Sequence, residues 1–302
     1  MSLYENISGF LLSKLLSEKA KKRSEKLIII IAIISFFVHL LLIVCTDLGV
    51  LKFNDYSELL TNPIAAIYTP FSFILVYEVY LLVYYLPRST STYIGKQYEI
   101  ITLILIRRVF KDLSKLEFTS DWFQVKDDLQ FTYDLVATVA LFFLIAVFYR
   151  LSQKKENRLP DSQLSPGVIR FIGIKRGIAA SLTPIFLLLA VYSFGYWVYE
   201  NFFLMDKTVT SITNVNKIFF SDFFTVLILT DVLLLLISFL HTHKFSKVIR
   251  NSGFIISTIL IKLSFGTEGL LNTLLIIVAV LFSVAILGIH NQYEKIKLSG
   301  EE

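Results

Sequence analysis

Three carboxylates stand where a membrane would be driest. Glu78 lies inside "ILVYEVYLLVYYLP" (74–87), Glu99 inside "YIGKQYEIITLILIRRV" (93–109) and Asp231 inside "FTVLILTDVLLLLISFL" (224–240). An ionised carboxylate in hydrocarbon is costly, so such residues mark ion or proton pathways, or are paired with a base. Both readings are open here. Asp222 and His39 stand in the same kind of surroundings and complete the set of residues that could line a path. Arg107, Arg108 and Lys262 are the bases that could offset the acids. Two carboxylates at similar depth favour sharing one proton. In the alternative reading, Glu78 and Asp231 are neutral or paired with Arg107 and Lys262, and fix helix registry. His39, a lone histidine on an apolar run, reads as a hydrogen-bonded core residue. Tyr77, Tyr80, Tyr84, Tyr85 and Tyr93 either line the same face or anchor it at a membrane interface.

The chain that carries them has 302 residues, 55% of them hydrophobic, and a mean hydropathy of +0.67. A soluble domain cannot hide that much apolar surface, so the reading is an all-α integral membrane protein. The single cysteine, Cys45, excludes an intramolecular disulfide and a cysteine-based metal site. The net charge of +5 follows from membrane orientation and does not imply nucleic acid. The polar, basic segment before Leu27 is not a cleavable signal.

Eight apolar segments follow one another: Leu27–Thr46, Ala65–Leu86, Tyr93–Val109, Leu129–Leu151, Ile178–Tyr199, Phe220–Leu240, Val248–Phe265 and Leu270–Ile289. The third and seventh are near the lower length limit for spanning. Lysine and arginine placement decides for them. With all eight crossing and both ends cytoplasmic, 20 of the 29 basic residues face inward and 9 outward. If the two short segments did not cross, the basic stretch Arg150–Arg176 would face outward, against the positive-inside rule. The expected chain therefore has eight transmembrane helices, in the plasma (inner) membrane. Leu3, Ile7, Phe10, Leu11 and Leu15 add an N-terminal amphipathic interfacial helix.

An internal repeat organises the eight. Phe71–Pro87 aligns with Phe224–Leu240, placing Glu78 on Asp231. Ile100–Arg107 then aligns with Ile255–Lys262 after a two-residue gap. Each half becomes four helices, the second bearing a mid-membrane acid and the third ending in a base. An even number per half makes the repeats parallel. The expected segments are 1–26 (cytoplasmic, amphipathic and basic), 27–151 (first four-helix repeat), 152–177 (basic cytoplasmic linker), 178–293 (second repeat) and 294–302 (cytoplasmic tail). On adjacent antiparallel helices Glu78 and Glu99 lie ~13 Å and ~9 Å from the inner ends at ~1.5 Å per residue, a similar depth.

The order Phe73-x-x-x-Tyr77-Glu78, a short polar turn, and an acid 21 residues later at Glu99 resembles the second and third helices of voltage-sensor-like four-helix membrane modules. The resemblance covers about forty residues. It implies that Glu78 and Glu99 form a charge-transfer site near the inner face. The arginine-bearing fourth helix of that family has no counterpart, because "DLVATVALFFLIAVFY" holds no base between Asp134 and Tyr149. An acid-lined path, as in voltage-sensor-like proton channels, is therefore implied more directly than voltage gating. No "TVGYG" filter is present.

The function expected is a channel or transporter for protons or small cations. The alternative is a non-transporting membrane assembly subunit that binds other proteins. No enzyme is expected, because the spans hold no H-E-x-x-H and no nucleophile elbow. "HTH" at His241–His243 reads as a loop end. No cofactor and no metal site are expected. The partners are the lipid bilayer, the permeating ion, and either a second copy of the chain or another membrane protein.

Overall fold

The computed structural model describes residues 16–49, 63–113, 126–153, 166–202, 213–241 and 245–299. Among these residues there are eight α-helices and a short 3-10 turn, with no strand. They are α1 (Glu18–Asp47), the 3-10 turn Pro63–Ile67 leading into α2 (Tyr68–Tyr85), α3 (Thr90–Leu113) and α4 (Lys126–Gln153). Then come α5 (Pro166–Phe202), α6 (Thr213–His241), α7 (Phe245–Phe265) and α8 (Gly269–Ser299). Each apolar segment read from the sequence falls on one of these helices. The amphipathic segment around Leu3–Leu15 lies outside the described residues.

Among the described residues, five helices are long and apolar enough to cross a membrane: α1, α4, α6, α7 and α8. The short seventh segment is thus among them. The third is not, because α3 carries Lys96, Glu99, Arg107, Arg108, Lys111 and Asp112 along its length. Helices also run further than the apolar runs. Residues 166–177, expected as linker, form the first three turns of α5, and α8 continues through Tyr293 to Ser299. A helix already nucleated in its apolar part extends at little cost into charged residues of good helix propensity.

The chain forms two compact units, one of Met1–Leu82 with Lys96–Phe143, the other of Val83–Gly95 with Leu144–Glu302. In the first unit, Ser17 caps α1 by accepting the Ala20 amide at 3.1 Å. Gly49 (φ 71°) closes the helix in the left-handed region, its amide bonded to Thr46. Only 11% of the apolar stretch of α1 is buried, and Leu27, Ile30, Ile33, Ile34, Phe37 and Leu41 are exposed. Such a helix is stable in lipid, where its surroundings match it on nearly every side. Pro70 stands in the first turn of α2, where its missing N–H has no intrahelical partner to lose. Phe71 of α2 stacks on Phe110 of α3, ring centroids 5.0 Å apart.

The second unit holds α5 to α8, the C-terminal third of α4 and the turn between α2 and α3. Pro87 stops α2; Arg88 donates its amide to Tyr85 O, and Ser89 O accepts from Tyr93 to begin α3. An aromatic chain ties the bundle: Phe186 of α5 meets Phe223 of α6 at 4.6 Å, and Phe224 meets Phe265 of α7 at 5.3 Å. Pro184 lies inside α5, so the carbonyl four residues back loses its helical donor. α7 and α8 form a close hairpin. Ser257 Oγ donates to Ala279 O at 2.7 Å, and Asn272 of α8 donates to Ser264 O. The backbones approach at Gly253, where an alanine Cβ would stand 2.8 Å from Cγ2 and 3.3 Å from Cβ of Ile286. A β-branched side chain on a helix has little rotamer freedom to yield.

Gly253→Ala is therefore expected to destabilise the protein by about 1–3 kcal/mol, read as a lower thermal midpoint in detergent. Ile286→Ala in the same chain should restore part of the loss. Gly288→Ala, where nothing lies within 4 Å of the new methyl, should be neutral or mildly stabilising.

Candidate functional site

In the first unit three helices bring charges together around Glu78. Glu78 is half-buried on α2, and its Oε2 is closed to solvent with no hydrogen-bond partner. The charges that weigh most on it are Lys96 and Glu99 of α3 and Glu25 and Lys21 of α1. Each pair comes from one helix face: Lys96 and Glu99 are three apart, Lys21 and Glu25 four apart. Lys96 and Glu99 form an ion pair. Beside Glu78, the buried Tyr77 donates its hydroxyl to Oε2 of Glu25 at 3.4 Å. The structure thus places Glu99 among the charges that act on Glu78. Glu25 and Lys21 are additions from a helix whose basic first turns had been read as a cytoplasmic segment.

The bases expected to offset Glu78 stand elsewhere. Arg107 is buried and Arg108 half-buried on α3. They are eight and nine residues beyond Glu99, or ~12–13 Å along the helix. Arg108 instead grips Asp134 of α4 with a two-pronged bond, Nη2 to Oδ1 at 2.5 Å and Nε to Oδ2. Asp134 is fully buried and also accepts from Gln130 at 2.8 Å. The partner of Glu99 is Lys96. His39 of α1 shares a 2.5 Å hydrogen bond between its Nδ1 and Thr69 Oγ1, in keeping with the expected packing role.

In the second unit a cavity of about 30 Å³ is lined by Asp231, Lys175, Thr90, Ser238 and Asn251 among apolar side chains. Asp231 on α6 is buried. Its cationic neighbour is Lys175 of α5, not Lys262 of α7. Along α7 the residues at the level of Asp231 are Asn251, Phe254 and Ile255. Lys262 is seven residues further, ~10 Å, and one position off the buried stripe Phe254, Ser257, Thr258, Ile261. Asp222 is exposed on α6.

Lys175 is buried, three residues before the apolar run of α5 that starts at Ile178. Its ammonium donates to the Arg88 carbonyl at 3.3 Å and approaches Thr90 Oγ1 at 3.5 Å. Burial pulls its pKa down to about 8; Asp231 opposes that shift and Arg250 adds to it. The sequence carried a signal for it. Phe171, Lys175, Ala179, Leu182 and Phe186 recur at helical spacing, so one apolar stripe of α5 contains a lysine. Ala179, Leu182 and Phe186 are buried. Counting Lys175 with the basic linker concealed that stripe.

The Arg108–Asp134 pair is a structural lock by these contacts. Arg108→Met removes the cation paired with a buried carboxylate, and should cost about 3 kcal/mol of stability. The double variant Arg108→Met/Asp134→Leu should regain most of that, measured by denaturation in detergent. Among the described residues no group of three or more histidine, cysteine or acidic side chains is placed to hold a metal ion. The chain matches no protein-family model, no curated protein and no solved structure.

Proposed function

We propose that the protein conducts protons or small cations across a membrane, along a path in which Glu78 is the central acid. The observation that carries this reading is a carboxyl oxygen of Glu78 that is shut in without a hydrogen-bond partner. Glu99 and Glu25 add negative charge around it, and Lys96 and Lys21 positive charge. In a low-dielectric setting an unbonded carboxyl oxygen is satisfied by one proton or one monovalent cation. A group built only for packing would have its oxygens bonded, as Asp134 has.

On this reading all eight apolar helices cross the bilayer, both ends face the cytoplasm, and the halves are two parallel repeats. The positions of Glu78 on α2 and Asp231 on α6, each followed by a helix with a base toward its end (Arg107 on α3, Lys262 on α7), support the repeat. The membrane is the plasma (inner) membrane, as the inward bias of lysine and arginine suggests. The likeness to voltage-sensor-like modules is supported by Glu78 and Glu99 sharing one charge group. No chemistry on a covalent substrate is part of the proposal.

Flux measured in liposomes holding the purified chain tests it, with an imposed potassium gradient as driving force. Glu78→Gln keeps the shape and removes the titrating charge, so proton or cation flux is expected to fall at least tenfold. Unchanged flux would remove Glu78 from the path. Absence of flux in both folded proteins would favour the assembly-subunit reading, and stable co-purification of another membrane protein would then be the next observation to seek.

A further inference from the structure

The cavity beside Lys175 has a size that limits what can enter it. About 30 Å³ is room for one or two water molecules, since one needs roughly 10–15 Å³ and two to four polar partners. Thr90 and Ser238 hydroxyls, the Asn251 amide, the Lys175 ammonium and the Asp231 carboxylate supply those partners. A resident ammonium already stands beside the carboxylate, so a metal ion entering here would meet a like charge. Water and protons are the ligands the site can take.

We propose that water in this cavity links Lys175 to Asp231, and that the two side chains share and pass one proton. The step balances without any co-reactant. Lys175 gives a proton to the bridging water, which passes one of its own to the Asp231 carboxylate. A neutral amine and a carboxylic acid result, and the reverse transfer restores the ion pair. Drawing both charges out of water narrows the gap between the ion pair and the neutral pair, because burial penalises each ion while their attraction opposes that penalty. The other groups facing the pair set its balance. Arg250 of α7 lies near Lys175 and is itself near Glu294 of α8, which accepts from Ser246 at 2.9 Å. From the α2–α3 turn come the Arg88 carbonyl and the Thr90 hydroxyl, and Tyr93 lines the same cavity. This inference rests on the transport reading only in calling the pair a relay. It narrows the species handled at this site to the proton.

Infrared difference spectra of the protein in lipid, recorded against pH, test the sharing directly through the carbonyl stretch of a protonated carboxyl group. At neutral pH the native chain should show such a band, and Asp231→Asn should remove it. Lys175→Arg keeps a positive charge that holds its proton, and should also remove the band. Lys175→Met should raise the band to full intensity. A native chain with no Asp231 band at neutral pH, or a band unaltered by Lys175→Arg, would make this a fixed ion pair and overturn the proposal. If the band behaves as expected while liposomes show no flux, the shared proton stands and the transport reading falls. If flux depends on Glu78 while the band ignores Lys175, the reverse holds.

Discussion

Hydrocarbon offers no hydrogen-bond partner, so every polar group on a membrane helix must find one within the chain. That constraint accounts for most of the polar contacts described above. Several hydroxyls on these helices return to their own backbone: Thr102 to Tyr98, Thr138 to Asp134, Thr230 to Val226 and Thr258 to Phe254, each about one turn back. Other polar side chains reach a neighbouring helix instead. Asn291 of α8 donates to Leu151 O at the end of α4, and Ser257 donates to Ala279 O. Association between helices in lipid depends on such bonds and on close packing, as at Gly253 and Ile286, because apolar burial gives little advantage over contact with acyl chains.

Under the same constraint, charges carry more meaning than they do on a soluble protein. The Arg108–Asp134 fork is balanced and satisfied by Gln130 as well. It asks for nothing from outside. The group around Glu78 keeps one oxygen unbonded among charges of both signs. The Lys175–Asp231 pair borders a void large enough for water, with a few polar side chains in a mainly apolar lining. These are three different solutions to the cost of a buried ion. On the proposed reading, only the second takes a ligand from outside.

The helices were legible because long apolar runs have one structural meaning in this composition, and each of the eight segments is a helix. Their ends were not legible, since residues 166–177 and 290–299 look like polar linker yet continue α5 and α8. Proximity was legible in part: Glu78 and Glu99, expected on adjacent helices, act on each other electrostatically. Rotation about the helix axis and the choice of partner were not. Arg107 and Arg108 were attractive as partners because Arg107 lies about two turns from Glu99 on one helix face, while the cation that pairs with Glu99 is Lys96, three residues away. Lys262 failed for the same reason: it sits off the packed stripe of α7. Lys175 shows the opposite error, a site residue overlooked because its neighbours Arg170 and Arg176 are exposed and basic.

The contrast between the two polar centres bears on how selectivity can arise in such a chain. A centre with an unsatisfied carboxyl oxygen attracts any small cation that can shed its water, and so discriminates weakly by charge alone. A centre whose acid is matched by its own ammonium repels every cation except one that the ammonium can hand over. On the proposed reading, Lys175 therefore gives selectivity for protons by occupancy rather than by size. Glu78, with Lys96 and Lys21 acting on it, approaches the same arrangement but keeps one oxygen unbonded. If the halves derive from one duplicated unit, the difference between Glu78 and Asp231 lies in what surrounds them. On the proposed reading, the number of resident ammonium groups around each acid decides whether it binds a ligand from outside or only rearranges a proton already present.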